Sequence, residues 1–111
     1  MNTRYIEEDK LLLLELTEEI DHHTTDEIRR RADYEIERYM PKKIIFNFNS
    51  VTFMDSAGIG LLLGRYKTAR MFGSELGIIN VNNSIKKVLE MCGMLKIIPI
   101  YNSIEIKKDV S

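Results

Sequence analysis

A short segment in the middle of the chain combines an acidic residue, a hydroxyl and several glycines. Asp55 and Ser56 come directly after a predicted strand and stand at the start of a predicted helix. The first turns of that helix would contain three glycines, Gly58, Gly60 and Gly64. Each glycine costs a helix roughly 1 kcal/mol relative to alanine, so this spacing indicates that another backbone or a ligand approaches closely.

One chemistry open to Ser56 is the acceptance of a phosphate. A hydroxyl at a helix N-terminus lies close to free N–H groups and to the positive end of the helix dipole, which stabilise an added dianion. The fold would therefore tolerate phosphorylation, but the modification adds about −1.5 to −2 charges beside Asp55. A partner surface that matches the neutral serine would then meet repulsion and a steric block. On this hypothesis Ser56 switches binding rather than folding.

Three other roles are also consistent with the segment. Gly58-x-Gly60-x-x-x-Gly64 resembles a dinucleotide-binding loop, but its third spacing departs from G-x-G-x-x-G and it does not follow the first strand. Ser56 could act as a nucleophile with one of the two histidines, although no G-x-S-x-G elbow is present. In a purely structural role, Ser56 is an N-cap, and Gly60 and Gly64 form a small-residue stripe against the sheet.

The two histidines precede the first predicted helix, in the segment Asp21–Thr24 (DHHT). No cluster of Cys, His or Asp at metal-ligand spacing accompanies His22 and His23, so we predict no metal site and no cofactor. The segment follows a strand, as Asp55 and Ser56 do, and open α/β sheets form their sites at the carboxyl ends of parallel strands. Asp21–Thr24 is therefore predicted to form the rim of one binding patch with Ser56.

Strand-like and helical patterns alternate along the chain and predict an α/β fold. A hairpin that turns at Asp9-Lys10 opens a series of five predicted strands: Tyr5–Glu8, Leu11–Thr17, Lys43–Asn49, Leu76–Val81 and Ile97–Tyr101. The run of four leucines in the second strand suggests burial on both of its faces.

Three helices are predicted between and after these strands. They run from a capping box at Thr24–Glu27 to Pro41, from Ala57 to Gly73, and from a cap at Asn83-Ser84 to Gly93. The order β-β-α-β-α-β-α-β implies a mixed, mostly parallel sheet with helices packed on it. The charged tail, residues 103–111, is expected to hold one more short helical turn.

The composition describes one globular domain that spans residues 1–111. Its 16 Lys and Arg residues nearly balance 17 Asp and Glu, so it lacks the concentrated basic face that nucleic-acid binding needs. The single cysteine, Cys92, cannot form an intramolecular disulfide, which favours a reducing, cytoplasmic setting. No apolar run approaches the ~20 residues that span a bilayer, so no membrane segment is expected.

The chain resembles a known family through two motifs taken together. It is similar to the anti-sigma factor antagonists of the STAS family in Asp21-His22-His23-Thr24 and in Phe53-Met54-Asp55-Ser56-x-Gly58-x-Gly60-x-x-x-Gly64-Arg65-Tyr66-Lys67. The likeness covers nearly the whole chain, including the order of strands and helices. It implies a STAS-type fold and a regulator of transcription that is not an enzyme.

The resemblance also implies a partner-switching cycle. The unphosphorylated protein would bind an anti-sigma factor, itself a GHKL-type serine kinase, and so release a sporulation sigma factor, sigma F. The kinase would phosphorylate Ser56, and a PP2C-type phosphatase would reverse this. The implied partner-binding patch consists of Asp21, His22, Thr24, Asp55, Ser56, Gly58, Gly60 and Arg65. The alternative is a STAS module that senses a nucleotide or acts in a stress-signalling complex.

Overall fold

Four strands form one mixed sheet: Asn2–Ile6 (β1), Leu11–Glu15 (β2), Lys43–Asn47 (β3) and Glu75–Ile79 (β4). They lie in the order β1-β2-β3-β4 in the computed structural model, which describes residues 1–102. Strands β1 and β2 pair antiparallel as a hairpin, whereas β2, β3 and β4 run parallel. The predicted mixed, mostly parallel sheet is confirmed.

Within residues 1–102, three α-helices accompany the sheet: Thr25–Tyr39 (α1), Ser56–Met71 (α2) and Asn83–Met91 (α3). Each parallel connection passes through one helix, because parallel strands need a long crossover. Gly73 (φ 72°) and Gly93 (φ 78°) follow α2 and α3 in the left-handed conformation, which confirms both predicted helix ends. None of the helices in residues 1–102 has the length and apolar character to cross a bilayer. The predicted turn in residues 103–111 lies outside the described residues.

All three helices pack on one face of the sheet. Strand side chains alternate between two faces, and Leu12, Phe46 and Ile78 point to the face where α1, α2 and α3 contribute buried residues to the main core. The opposite face carries a smaller apolar cluster, Ile6, Leu11, Ile45 and Ile79. Strand β2 contributes to both clusters, so the interpretation of its four leucines is confirmed.

The first strand begins three residues before the predicted Tyr5–Glu8 and ends two residues before it. Ile6 pairs with Leu11 at its end, and a four-residue turn from Glu7 to Lys10 follows, closed by a hydrogen bond from Lys10 N to Glu7 O (3.2 Å). The predicted two-residue turn at Asp9-Lys10 is therefore wrong. The reason is that β1 is an edge strand with exposed polar residues, so no hydrophobic alternation fixes its register in the sequence.

The strand predicted at Ile97–Tyr101 is not formed. An isolated parallel bridge joins Ile100 to Ile78, with hydrogen bonds from Ile78 N to Pro99 O (3.0 Å) and from Tyr101 N to Ile78 O (2.8 Å). Pro99 has no N–H to donate, so the pairing does not extend into a ladder.

The capping box predicted at the start of α1 is also not formed. Thr24 occupies the N-cap position, but its hydroxyl donates to the carbonyl oxygen of Glu19 (2.8 Å) and caps no N–H of the helix. Asp26 and Glu27 lie in the first turn, where the helix dipole favours negative charge. The sequence pattern thus located the start of the helix correctly and its capping contacts wrongly.

The N-cap of α3 is Asn82 rather than Asn83 or Ser84. Its Oδ1 accepts a hydrogen bond from the Ile85 N–H (2.8 Å), and its Nδ2 donates to the carbonyl oxygen of Val51 (3.3 Å). The second bond ties α3 to the loop between β3 and α2. Three consecutive residues with capping side chains left the choice open in the sequence.

We expect the substitution Asn82→Ala to lower the free energy of unfolding by about 1 kcal/mol, because the first turn of α3 loses its cap. Urea denaturation followed by circular dichroism measures this. The matched control is Asn83→Ala, which removes no capping bond and should change the stability by less than about 0.5 kcal/mol. Equal losses in both variants would show that Asn82 is not the cap.

Candidate functional site

The two loops of the predicted patch meet at an isolated β-bridge beyond the ends of β2 and β3. Ile20 pairs in parallel with Met54. The Ile20 N–H donates to Phe53 O (3.1 Å), and the Asp55 N–H donates to Ile20 O (3.0 Å). Asp21 directly follows Ile20, and Asp55 directly follows Met54. The two aspartates therefore lie side by side at the same edge of the sheet.

Asp55, not Ser56, caps α2. Its Oδ1 accepts a hydrogen bond from the Ala57 N–H at 2.8 Å. Ser56 is the first residue of the helix and is exposed. The alternative in which Ser56 is only an N-cap is therefore wrong, because the Asp55 carboxylate holds that position.

The hydroxyl of Ser56 forms no hydrogen bond with any residue that the structure describes. A nucleophilic serine needs a base within about 2.6–3.2 Å of its oxygen. His22 approaches Asp55 instead, with Nδ1 3.7 Å from Oδ2. This geometry does not favour a hydrolase, and the exposed Ser56 hydroxyl remains uncommitted.

The loop at Asp21 is held by its own hydrogen bonds. Oδ1 of Asp21 accepts from the N–H groups of His23 (2.8 Å) and Thr24 (3.1 Å), as in an Asx turn. The bond from His23 is the main reason that the pKa of the Asp21 carboxyl lies below its ordinary value, and partial desolvation opposes it. The bonds fix the loop beside the start of α2.

His22 connects the two loops across the site. Besides its contact with Asp55, its ring lies against the ring of His23, with centroids 3.9 Å apart. The His22 side chain is 72% exposed, so solvent screens its attraction to Asp55. Within residues 1–102, no three or more His, Cys, Asp or Glu side chains are grouped so that they could hold a metal ion.

The three glycines of α2 have different surroundings. A Cβ on Gly58 would collide with the side chain of Met54 and lie 3.2 Å from Ile20, so this glycine lets α2 start close to the bridged strands. A Cβ on Gly60 or Gly64 would meet nothing within 4 Å. The alternative of a small-residue stripe against the sheet is therefore wrong for these two positions, which face open space.

Arg65 is buried between α1 and α2. Only 6% of it is exposed, and its Nε lies 2.8 Å from Oδ1 of Asp33. Burial lowers the pKa of Arg65, an effect that the charge of Arg29 reinforces and that of Asp33 opposes. Sequence reasoning missed Asp33, because a single carboxylate on the polar side of a helix gives no signal of its partner.

The predicted patch is therefore divided between a surface and its support. Gly58 and Arg65 are buried and hold α2 in place from below. The other predicted residues lie at the edge of the sheet or along the adjoining turns of α2. We refer to them as the Ser56 surface: Asp21, His22, Thr24, Asp55, Ser56 and Gly60.

The chain belongs to the STAS-domain family, whose sequence profile matches residues 2–106. It is 39% identical to the anti-sigma F factor antagonist of Paenibacillus polymyxa, over 84% of this chain and 80% of that protein. It is 28% identical to the anti-sigma-B factor antagonist of Listeria monocytogenes, over 76% of this chain and 73% of that protein.

Two solved structures share the fold. The anti-sigma factor antagonist SpoIIAA in its unphosphorylated form gives a TM-score of 0.80 at 26% identity, covering 98% of this chain and 94% of that one. The Bacillus cell fate determinant SpoIIAA in its phosphorylated form gives 0.74 at 25% identity, covering 99% and 98%. The STAS-type fold expected from the sequence is confirmed.

We expect Gly58→Ala to lower the free energy of unfolding by about 1–3 kcal/mol, because the added methyl forces the buried Met54 side chain to move. Urea denaturation measures the change. Gly60→Ala is the matched control, since it adds the same methyl to the same helix in open space and should raise stability by up to about 1 kcal/mol. If the two variants were equally stable, the packing role of Gly58 would be wrong.

Titration of Asp21 tests the loop geometry. Its carboxyl should have a pKa below the ordinary 3.8, because the ionised form accepts two backbone hydrogen bonds. The folded pKa is then below the unfolded one, so ionised Asp21 stabilises the fold above the unfolded pKa and loses this effect as the pH falls through the folded pKa. Carbon-13 NMR of the side-chain carboxyl measures the midpoint, and a value at or above 3.8 would contradict the geometry.

Proposed function

We propose that this chain is an anti-sigma factor antagonist whose binding is switched off by phosphorylation of Ser56. The observation that carries the proposal is the exposed Ser56 hydroxyl, which has no hydrogen bond to a described residue and opens the first turn of α2. The names of the relatives in Paenibacillus polymyxa and Listeria monocytogenes support the same class of function. The role is one of binding, and it involves no catalysis by this chain.

The position of Ser56 explains why a phosphate would change binding and leave the fold intact. The side chain is outside the core, so an added phosphate displaces no buried group. The positive end of the α2 dipole offsets part of the new charge. The carboxylate of Asp55 stands beside it, held to the Ala57 N–H, so the negative charges accumulate on one small area. A partner fitted to the neutral surface would meet about −1.5 to −2 additional charges.

The proposed partners follow from the resemblance and from this switch. The anti-sigma factor would bind the Ser56 surface and, as a serine kinase, transfer the phosphate of ATP to Ser56. A PP2C-type phosphatase would remove it and restore binding. The relative SpoIIAA has been solved in both unphosphorylated and phosphorylated forms, which supports a two-state cycle here. We place the cycle in the cytoplasm.

We assign the chain to the sigma F branch, and hence to sporulation, because its relative in Paenibacillus polymyxa is the more similar of the two. The similarity to the anti-sigma-B factor antagonist of Listeria monocytogenes favours a second candidate, a role in the sigma-B branch. A competition experiment, in which the anti-sigma F factor and the anti-sigma-B factor are offered to this chain together, distinguishes the sigma F role from the sigma-B role by which factor the chain prefers. Titration with ATP alone tests the nucleotide-sensing alternative, which saturable binding would favour.

Phosphorylation is tested by incubating the chain with ATP and the anti-sigma F factor of Paenibacillus polymyxa, followed by peptide mass spectrometry. We expect one phosphate, on Ser56, and none in Ser56→Ala. The matched control is Ser50→Ala, which removes an exposed serine from the same loop and should leave phosphorylation unchanged. A phosphate on another residue, or none on the wild type, would overturn the assignment.

Calorimetry with the same anti-sigma factor then measures the switch. The phosphorylated chain and Ser56→Asp should bind at least about tenfold more weakly than the wild type, because like charge is placed in the interface. Their thermal unfolding should be close to that of the wild type. Undiminished binding by the phosphorylated chain would show that phosphorylation of Ser56 does not control the interaction.

A further inference from the structure

A groove lies between α1 and α2, and one of its ends is next to Ser56. Its volume is about 270 Å³, so it has room for a side chain. Thr25, Asp26 and Arg29 line it from α1, and Ala57, Gly60 and Gly64 line it from α2. Since Ala57 directly follows Ser56, the groove continues the Ser56 surface along the helix pair.

Nothing in the described part of the chain uses the space above the two glycines. A Cβ on Gly60 or Gly64 would meet no atom within 4 Å, whereas Gly58 and Gly77 are packed against side chains. Glycine weakens a helix, so a glycine that allows no internal contact lowers stability without a compensating gain inside the fold. The free space is of use only to a group from outside.

A buried guanidinium also lines this groove. The Arg65 side chain is 8% exposed, and its Nε is in ion-pair contact with Asp33 Oδ1, but the two atoms are not aligned as a hydrogen bond. Nε is therefore a buried donor without an aligned acceptor among residues 1–102, although the Asp33 carboxylate remains its counterion. A buried, desolvated donor group of this kind gains from each acceptor that enters beside it.

The residues that line the groove include two cations, Arg29 and Arg65, and one anion, Asp26, which favours an acidic side chain over a basic one. Arg29 lies near Arg65, and the repulsion between them contributes to the lowered pKa of Arg65. Asp33 faces Arg65 from α1. Asp26 is 83% exposed and contacts Arg29 at 3.4 Å, so it is a solvated group that can move aside. A carboxylate between the two arginines would reduce their repulsion.

We propose that the α1–α2 groove receives an acidic side chain of the anti-sigma factor, whose carboxylate pairs with Arg65 while its backbone crosses Gly60 and Gly64. Arginine suits this task, because its planar fork can donate two parallel hydrogen bonds to one carboxylate. This inference rests on the proposed function. It adds Gly64 and Arg29 to the predicted partner-binding residues, and it gives Arg65, which was already among them, a specific task.

The groove also gives the phosphate switch a specific target. An acidic side chain that enters beside Ala57 passes the neighbouring residue, Ser56. A phosphate on that residue would repel the entering carboxylate at short range as well as obstruct it. The carboxylate would thus bind in one state of Ser56 and be rejected in the other.

Calorimetry with the anti-sigma F factor of Paenibacillus polymyxa at low ionic strength tests the groove, together with thermal unfolding. Gly64→Ala should raise Tm by about 3–6 °C, because alanine favours the helix and meets no atom of the chain. The same methyl should raise Kd at least about tenfold, because it fills the path of the partner backbone. A gain in stability with a loss of binding excludes misfolding as the cause.

Arg29→Glu tests whether the side chain that enters the groove is acidic. This exposed residue can be replaced without disturbing the core, and reversal of its charge should raise Kd at least about tenfold at low salt, and less at high salt. Lys67→Ala removes an exposed cation of α2 that is not among the groove-lining residues, so it is the control and should bind as the wild type does.

The outcomes separate this inference from the proposed function. If the wild type binds but Gly64→Ala binds equally well, the groove is not occupied. If Gly64→Ala weakens binding but Arg29→Glu does not, the side chain that occupies the groove is not acidic, and the inference is wrong. If the wild type itself does not bind any anti-sigma factor tested, the proposed function fails and the groove assignment fails with it.

Discussion

The functional edge of this molecule depends on one short parallel bridge between Ile20 and Met54. Strands β2 and β3 end before it, at Glu15 and Asn47, yet the two chains meet again through two backbone hydrogen bonds. Each such bond contributes only about 0.5–1.5 kcal/mol net, so the importance of the bridge lies in geometry. It makes the loops that begin at the following aspartates leave from one place.

The start of α2 is fitted to this bridge. Gly58 has no side chain where Met54 packs, so the helix can begin directly above the bridged residues. The Asp55 carboxylate then caps the helix, which leaves the neighbouring hydroxyl of Ser56 uncommitted. The proposed switch needs this combination: the backbone of Ser56 is fixed by other residues, and its side chain contributes little to the fold.

The same helix shows how stability and binding are divided along one element. The buried contact of Arg65 with Asp33 joins α1 to α2, and although such pairs add little net stability, losing one partner leaves a buried charge without its counterion. It therefore fixes the position of α2 more than it strengthens the fold. Gly60 and Gly64 lower helix stability by roughly 1 kcal/mol each and face open space, a pattern expected where a surface is kept for a partner.

The sequence by itself determined the fold class, the ends of the helices at Pro41, Gly73 and Gly93, and the segment that contains the proposed switch, since these follow from patterns within a few residues. Only the tertiary structure decided that Asp55 rather than Ser56 is the cap, that Gly58 is packed while Gly60 is open, and that Arg65 is buried. The strands at the edges were misplaced for a related reason, because a strand paired on one side has its register set by its neighbour. Burial, pairing and open space are properties of elements far apart in the chain, and local residue preferences do not contain them.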